Sequence, residues 1–113
     1  MSFKEFKKRF NQLNGIGEIK VSGVYNDIEV NESEILFHRG GRKEVRKGSR
    51  VIKRSNKERI KLDELYNVYQ NLSVITIESV KPIMKGFGSH AAPAVAFLKN
   101  VGLFGKEGRR LED

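Results

Sequence analysis

Phe3, Phe6, Phe10 and Leu13 recur at three- and four-residue intervals with Lys4, Lys7, Lys8 and Arg9 between them. This is the spacing of one apolar stripe along a helix with a solvated basic face. Ser2 followed by Glu5 has capping-box spacing, and Asn14-Gly15 supplies a stop, so a first helix is predicted over 3–13. After Gly15 the period shortens to two. Ile19 and Val21 alternate with Glu18 and Lys20, then Ile28 and Val30 with Asp27 and Glu29, with a turn at Gly23 to Asn26. Ile35 with Phe37, then Val45, Val51, and Ile60 with Leu62 follow, separated by turn residues at Asn31 to Ser33, Gly40-Gly41, Lys47-Gly48-Ser49 and Ser55-Asn56-Lys57. Gly-Gly is a favoured two-residue hairpin loop because both positions accept positive φ.

The helical period returns at Leu65, Val68, Tyr69 and Leu72, with Asp63 and Glu64 where the helix dipole favours anions, which predicts a helix over 63–72. Val74, Ile75, Ile77 and Val80 are rich in β-formers and predict one more strand before Pro82. A third helix is expected over 90–101, with Ser89 as its N-cap and small residues, Ala91, Ala92, Ala94 and Ala96, for close packing. The whole predicts an α+β fold: an antiparallel β-meander over about residues 16–62 with three helices, as a single domain over 1–104. Residues 105–113, GKEGRRLED, are expected as a flexible C-terminal tail. The predicted core comprises Phe3, Phe6, Phe10, Ile19, Val21, Ile28, Val30, Ile35, Phe37, Ile60, Leu65, Leu72, Ile75, Ile77, Val95 and Leu98.

Charge changes this picture in one place. The chain has 22 Lys and Arg against 14 Asp and Glu, a net charge of +8. Eleven of those cations fall in residues 39–61: Arg39, Arg42, Lys43, Arg46, Lys47, Arg50, Lys53, Arg54, Lys57, Arg59 and Lys61. Only Glu44 and Glu58 oppose them, so this segment alone is +9 and the rest of the chain is −1. A protein basic for bulk solubility spreads its cations; one that gathers them presents a polyanion-binding surface. Because the region reads as β, residues 38–61 are expected as a basic β-ribbon. Around Glu44 to Gly48 only Val45 is apolar, so those strands are expected to project from the core.

Other chemistries find little support. At 113 residues the chain holds one core, and seven Phe with three Tyr argue against wholesale disorder. The absence of cysteine fits a reducing cytoplasm and excludes disulfides and thiolate metal sites. No segment reads as a secretory signal, and none approaches the ~18 apolar residues of a membrane span. His38 and His90 lie too far apart for a local metal pair, and no cofactor is expected. A metal-dependent nuclease would need an Asp followed by an acidic-x-Lys triplet. The triplet Glu18-Ile19-Lys20 precedes every Asp and is explained by a half-buried strand. No GxSxG or similar nucleophile motif is present. Gly86, Gly88 and Ser89, at the start of the last helix, form a possible phosphate contact, since helix N-terminal amides attract anions.

These observations point to a nucleic-acid-binding module more than to an enzyme. Each cation on a phosphate releases counterions, and a β-ribbon can enter a major groove. Arg42, Arg46, Arg50 and Arg54 are favoured for groove contacts because a guanidinium grips guanine with two bonds. The stretch holds no stacking aromatics beyond Phe37 and His38 at its edge, which favours duplex over single strands. DNA is expected ahead of RNA, with no residue that decides between them. The competing reading is a protein-interaction or assembly module that meets an acidic partner; a metal-dependent nuclease comes third.

Overall fold

The computed structural model describes residues 1–21, 23–39, 46–47, 50–51, 57–84 and 90–111, with 46–47 and 50–51 described by their backbone. Helix α1 (Phe3–Phe10) runs into a 3-10 turn (Asn11–Leu13), and the strands β1 (Glu18–Lys20), β2 (Val24–Val30), β3 (Glu34–Arg39), β4 (Arg46–Lys47), β5 (Arg50–Val51) and β6 (Glu58–Lys61) follow. Helices α2 (Leu62–Asn71), α3 (Ile77–Val80) and α4 (Ala91–Asn100) complete the order. The fold is α+β, as the change of apolar period predicts. No helix among the described residues is long and apolar enough to cross a membrane.

Four strands form one antiparallel sheet in the order β1-β2-β3-β6, while β4 and β5 pair only with each other. The predicted meander therefore skips a step. β3 takes β6 as its second neighbour, through Ile35↔Ile60 and Phe37↔Glu58. Gly40 and Gly41 themselves lie outside the described residues. The turn expected at Gly48-Ser49 has the flanking register of a two-residue hairpin, Lys47 opposite Arg50 and Arg46 opposite Val51. The first turn is shorter than expected, because β2 begins at Val24 and Lys20 pairs with it.

The inner face of the sheet packs on the helices. Tyr25 and Phe37 contact Phe97 of α4 with ring centroids 5.5 and 5.1 Å apart, and Phe6 of α1 meets Tyr66 and Tyr69 of α2 at 5.0 and 5.5 Å. Helix α4 is buried nearly all round, from Ala91 through Leu98 with Ala92 alone less covered, which its alanines permit. Its N-cap position is His90, with no side-chain cap bond, so the expected cap at Ser89 shifts by one residue. Most of the predicted core is buried, with Phe6, Phe10, Ile35, Phe37, Leu65 and Leu98 fully so. Phe3, Val21, Val30 and Leu72 pack at its margin instead.

Two expectations are corrected. The strand predicted from Val74 to Val80 is a short helix, α3, preceded by a single bridge from Val74 to Arg109. Thr76 accepts from the Ser79 amide at 3.0 Å, and Ser79 accepts from the Thr76 amide at 2.8 Å. That reciprocal cap outweighs the β propensity of the valines and isoleucines. Helix α3 turns Val80 inward and leaves Ile77, a predicted core residue, 37% exposed. The second correction concerns the C-terminus, since residues 105–111 are bound to the fold. Ile75 donates to the Gly108 carbonyl and Arg110 donates to that of Ser73, both at 2.7 Å, and Leu111 donates to Leu103 at 2.9 Å. A stretch of Gly and charge reads as a tail locally, but its amides complete bonds left open by the loop after α2.

Candidate nucleic-acid interface

The basic stretch leaves the sheet from the end of β3 and returns at the start of β6, so Arg39 and Glu58 mark its root. Of the predicted contact residues, Arg46, Lys47 and Arg50 lie on the separate β4–β5 pair. Arg39, Lys57, Arg59 and Lys61 lie at the root or along β6. Arg42, Lys43, Lys53 and Arg54 lie outside the described residues, as do Gly86, Gly88 and Ser89 of the expected phosphate contact.

Three of the four described cations at the root carry an acidic partner. Arg39 donates from Nε and Nη2 to both oxygens of Glu58, at 3.0 and 2.9 Å. Lys57 lies 2.5 Å from Glu29 of β2, reaching over the intervening β3, and Arg59 lies 3.5 Å from Glu34. The register explains the last pair: Glu34 stands opposite Lys61, so Arg59 reaches it on a cross-strand diagonal. Lys61 is exposed and has no ion pair among the described residues. The field at the root is thus largely balanced. The excess charge belongs to residues 42–54, where seven cations face Glu44 alone, a net +6 in sequence. Counting charges along the chain could not find the acids Glu29 and Glu34, because they come from strands outside the basic stretch; their alternation along β2 and β3 was the available signal.

Glu58 has a second neighbour. Nε2 of His90, at the start of α4, lies 3.5 Å from the Glu58 carboxylate oxygen Oε1, and the His90 ring packs against Phe37 with centroids 6.3 Å apart. Beneath this group lies Tyr25, directly opposite Arg39 in the ladder. Burial pushes the Tyr25 phenol up from its ordinary pKa, with nearby Arg39 opposing and Glu58 adding to the shift.

The strand face opposite Phe37 carries a further pair. Between Asn26 and Glu29 the ladder slips, so Asp27 and Ile28 oppose one residue of β3. Asp27 takes φ 53°, a left-handed conformation that Asp tolerates, and its carboxylate meets Nδ1 of His38 at 3.0 Å. An open groove of about 340 Å³ runs alongside, lined by Gly15, Ile16, Gly17, Asp27, Ile28, Glu29 and Lys57. Its titratable groups are the paired Asp27, Glu29 and Lys57.

No group of three or more His, Cys, Asp or Glu suited to hold a metal occurs among the described residues. Glu18 of the acidic-x-Lys triplet pairs with Lys20 at 3.4 Å, while Ile19 between them is buried. The triplet has the arrangement of an exposed strand face.

The turn that follows α1 is held at the other end of the sheet. Asn14, just past the 3-10 turn, accepts from the Val30 amide at 2.7 Å and donates to the Val30 carbonyl at 3.1 Å. Val30 pairs with Ile35, whereas the ribbon leaves β3 at Arg39. Comparison with protein-family models, curated proteins and solved structures finds no match to this chain.

Proposed function

We propose that this protein binds nucleic acid, duplex DNA in preference to RNA, through the β-ribbon that carries β4 and β5. The observation that carries this reading is the partition of charge. Three of the four described cations at the root are matched by acids of the sheet, and in sequence residues 42–54 hold seven cations against one acid. A net +6 concentrated in so short a stretch is the charge that a polyanionic partner would meet. A two-stranded antiparallel ribbon fits a major groove, with Arg42, Arg46, Arg50 and Arg54 as the candidates for groove contacts and the lysines of the stretch available to phosphates.

The surroundings favour duplex over single strands. Phe37 is fully buried, and His38, tied to Asp27, has a side chain only 16% exposed. Neither aromatic at the edge of the stretch offers the open face on which single-strand binders stack bases.

Fluorescence anisotropy with an unrelated labelled duplex, titrated at several salt concentrations, tests the reading. Log affinity should fall linearly with log salt at roughly −0.9 per phosphate neutralised, which for the seven cations gives a slope no steeper than about −6. Arg50→Gln with Arg54→Gln should weaken binding by one to several kcal/mol, at about the cost of lost guanidinium contacts, with little change in thermal stability. Lys4, Lys7 and Lys8 changed to Gln carry the control, since they lie on α1 and outside the basic stretch. No binding by wild type at low salt, or equal losses in both variants, would overturn the nucleic-acid reading in favour of an acidic protein partner.

A further inference from the structure

We infer that Glu58, although an acid on a polyanion-binding surface, is a positioning residue for the ribbon and strengthens binding. The inference rests on the nucleic-acid reading above and concerns how the same surface is held. Glu58 is the first residue of β6, where the ribbon returns to the sheet. Its two oxygens take both bonds from Arg39, the last residue of β3, where the ribbon departs. One oxygen also faces His90 at the start of α4, and the His90 ring rests on buried Phe37, the cross-strand partner of Glu58. One carboxylate therefore ties the outgoing leg, the returning leg and the buried helix together. A bidentate guanidinium–carboxylate pair fixes orientation as well as distance.

Arg39 and Glu58 are the residues at which the ribbon leaves and rejoins the sheet, so their pairing fixes the separation and mutual orientation of its two legs. Holding the root in one orientation removes an ordering cost at the moment of binding. Removing one negative charge from a partly exposed site yields only a modest, salt-screened gain in attraction. Positioning is the larger effect.

Glu34 provides the matched control. It also neutralises an arginine of the same stretch, Arg59, but it lies on β3, at the other end of the strand from the root. Glu58→Gln and Glu34→Gln change the charge equally. If charge alone governs affinity, both bind the labelled duplex as tightly as wild type or tighter. If Glu58 positions the ribbon, Glu34→Gln does so while Glu58→Gln binds about fivefold or more weakly, with an unchanged salt slope because the same cations still meet phosphate. Glu58→Asp, which keeps a carboxylate, should recover part of the loss. Thermal unfolding is followed for each variant. Should Glu58→Gln fail to fold, Arg39→Gln against Arg59→Gln repeats the comparison, and the larger loss is expected at Arg39. Equal affinities within either pair overturn the positioning role while leaving the binding reading intact. Absence of binding by wild type overturns both.

Discussion

Arg110 should be among the most stabilising residues of the chain, although it sits in a segment whose sequence reads as a frayed end. Helix α2 has no basic residue in its last turn, so no cation of its own offsets its dipole or caps its last carbonyls. Arg110 does both from 38 or more residues away. Its Nη2 donates to the carbonyls of Tyr69 and Leu72, the latter at 2.8 Å, and its guanidinium stacks over the Tyr69 ring at 4.7 Å from the centroid. Hydrogen bonds from a charged donor contribute about 1.5 to 3 kcal/mol net, and the cation–π contact about 0.5 to 1. Two corrections pull the total down. Both bonds come from one nitrogen, and the buried Arg110 Nε has no hydrogen-bond partner among the described residues, an omission that costs about 1 kcal/mol or more. Arg110→Met keeps the aliphatic stem and removes only the polar contributions, so it should cost about 2 to 3 kcal/mol. Urea unfolding followed by circular dichroism at 222 nm reads this as a lower midpoint at unchanged slope. Arg110→Lys should fall between, since it retains charge but not the planar fork. A loss under about 0.5 kcal/mol in Arg110→Met would refute the clasp and restore the frayed tail.

Two further outcomes are expected. Gly108 has φ 86°, and a Cβ there would stand 2.3 Å from the Ile75 carbonyl oxygen, whereas Gly102, at φ 80°, has open space around it. Gly102→Ala should therefore cost only the left-handed penalty of about 1 to 2 kcal/mol, while Gly108→Ala must also shift backbone and should cost clearly more in the same unfolding assay; equal losses would show that the strap yields freely. Because burial raises the pKa of Tyr25, the stability gained by keeping its phenol neutral is fully present below the unfolded value of about 10 and is lost as pH rises through the folded value. Stability of the wild type should thus fall more steeply above about pH 10 than that of Tyr25→Phe, and absorbance near 295 nm should show a late-ionising component absent from the variant. Parallel pH profiles would contradict the burial argument.

Features legible in the sequence alone are those in which a side chain's environment depends on its near neighbours. The stripe Phe3, Phe6, Phe10, Leu13 marks a helix because one face must leave water, and Ser2 with Glu5 caps it through bonds that close within one turn. Alternation marks β2, β3 and β6 for the same reason, and the clustering of cations in 39–61 is a fact of sequence that no fold can alter. Burial inside the last helix was legible only at Val95 and Leu98, because alternation and stripes say which face is covered, not that α4 is covered on almost every side. Strand partnership was not legible. The pairing of β3 with β6 brings together an inward pair, Ile35 with Ile60, from segments 25 residues apart that no local turn signal connects. The strap at 105–111 is another such case, because its bonds to Ser73 and Ile75 join segments more than thirty residues apart. The balance of charge at the root of the basic stretch also depended on tertiary structure. Arg39 meets Glu58 across 19 positions, Arg59 meets Glu34 across 25 and Lys57 meets Glu29 across 28. Local pattern sets which face of an element seeks the core or water, but which charges meet is decided by topology, because an ion pair needs side chains within about 4 Å whatever their separation along the chain.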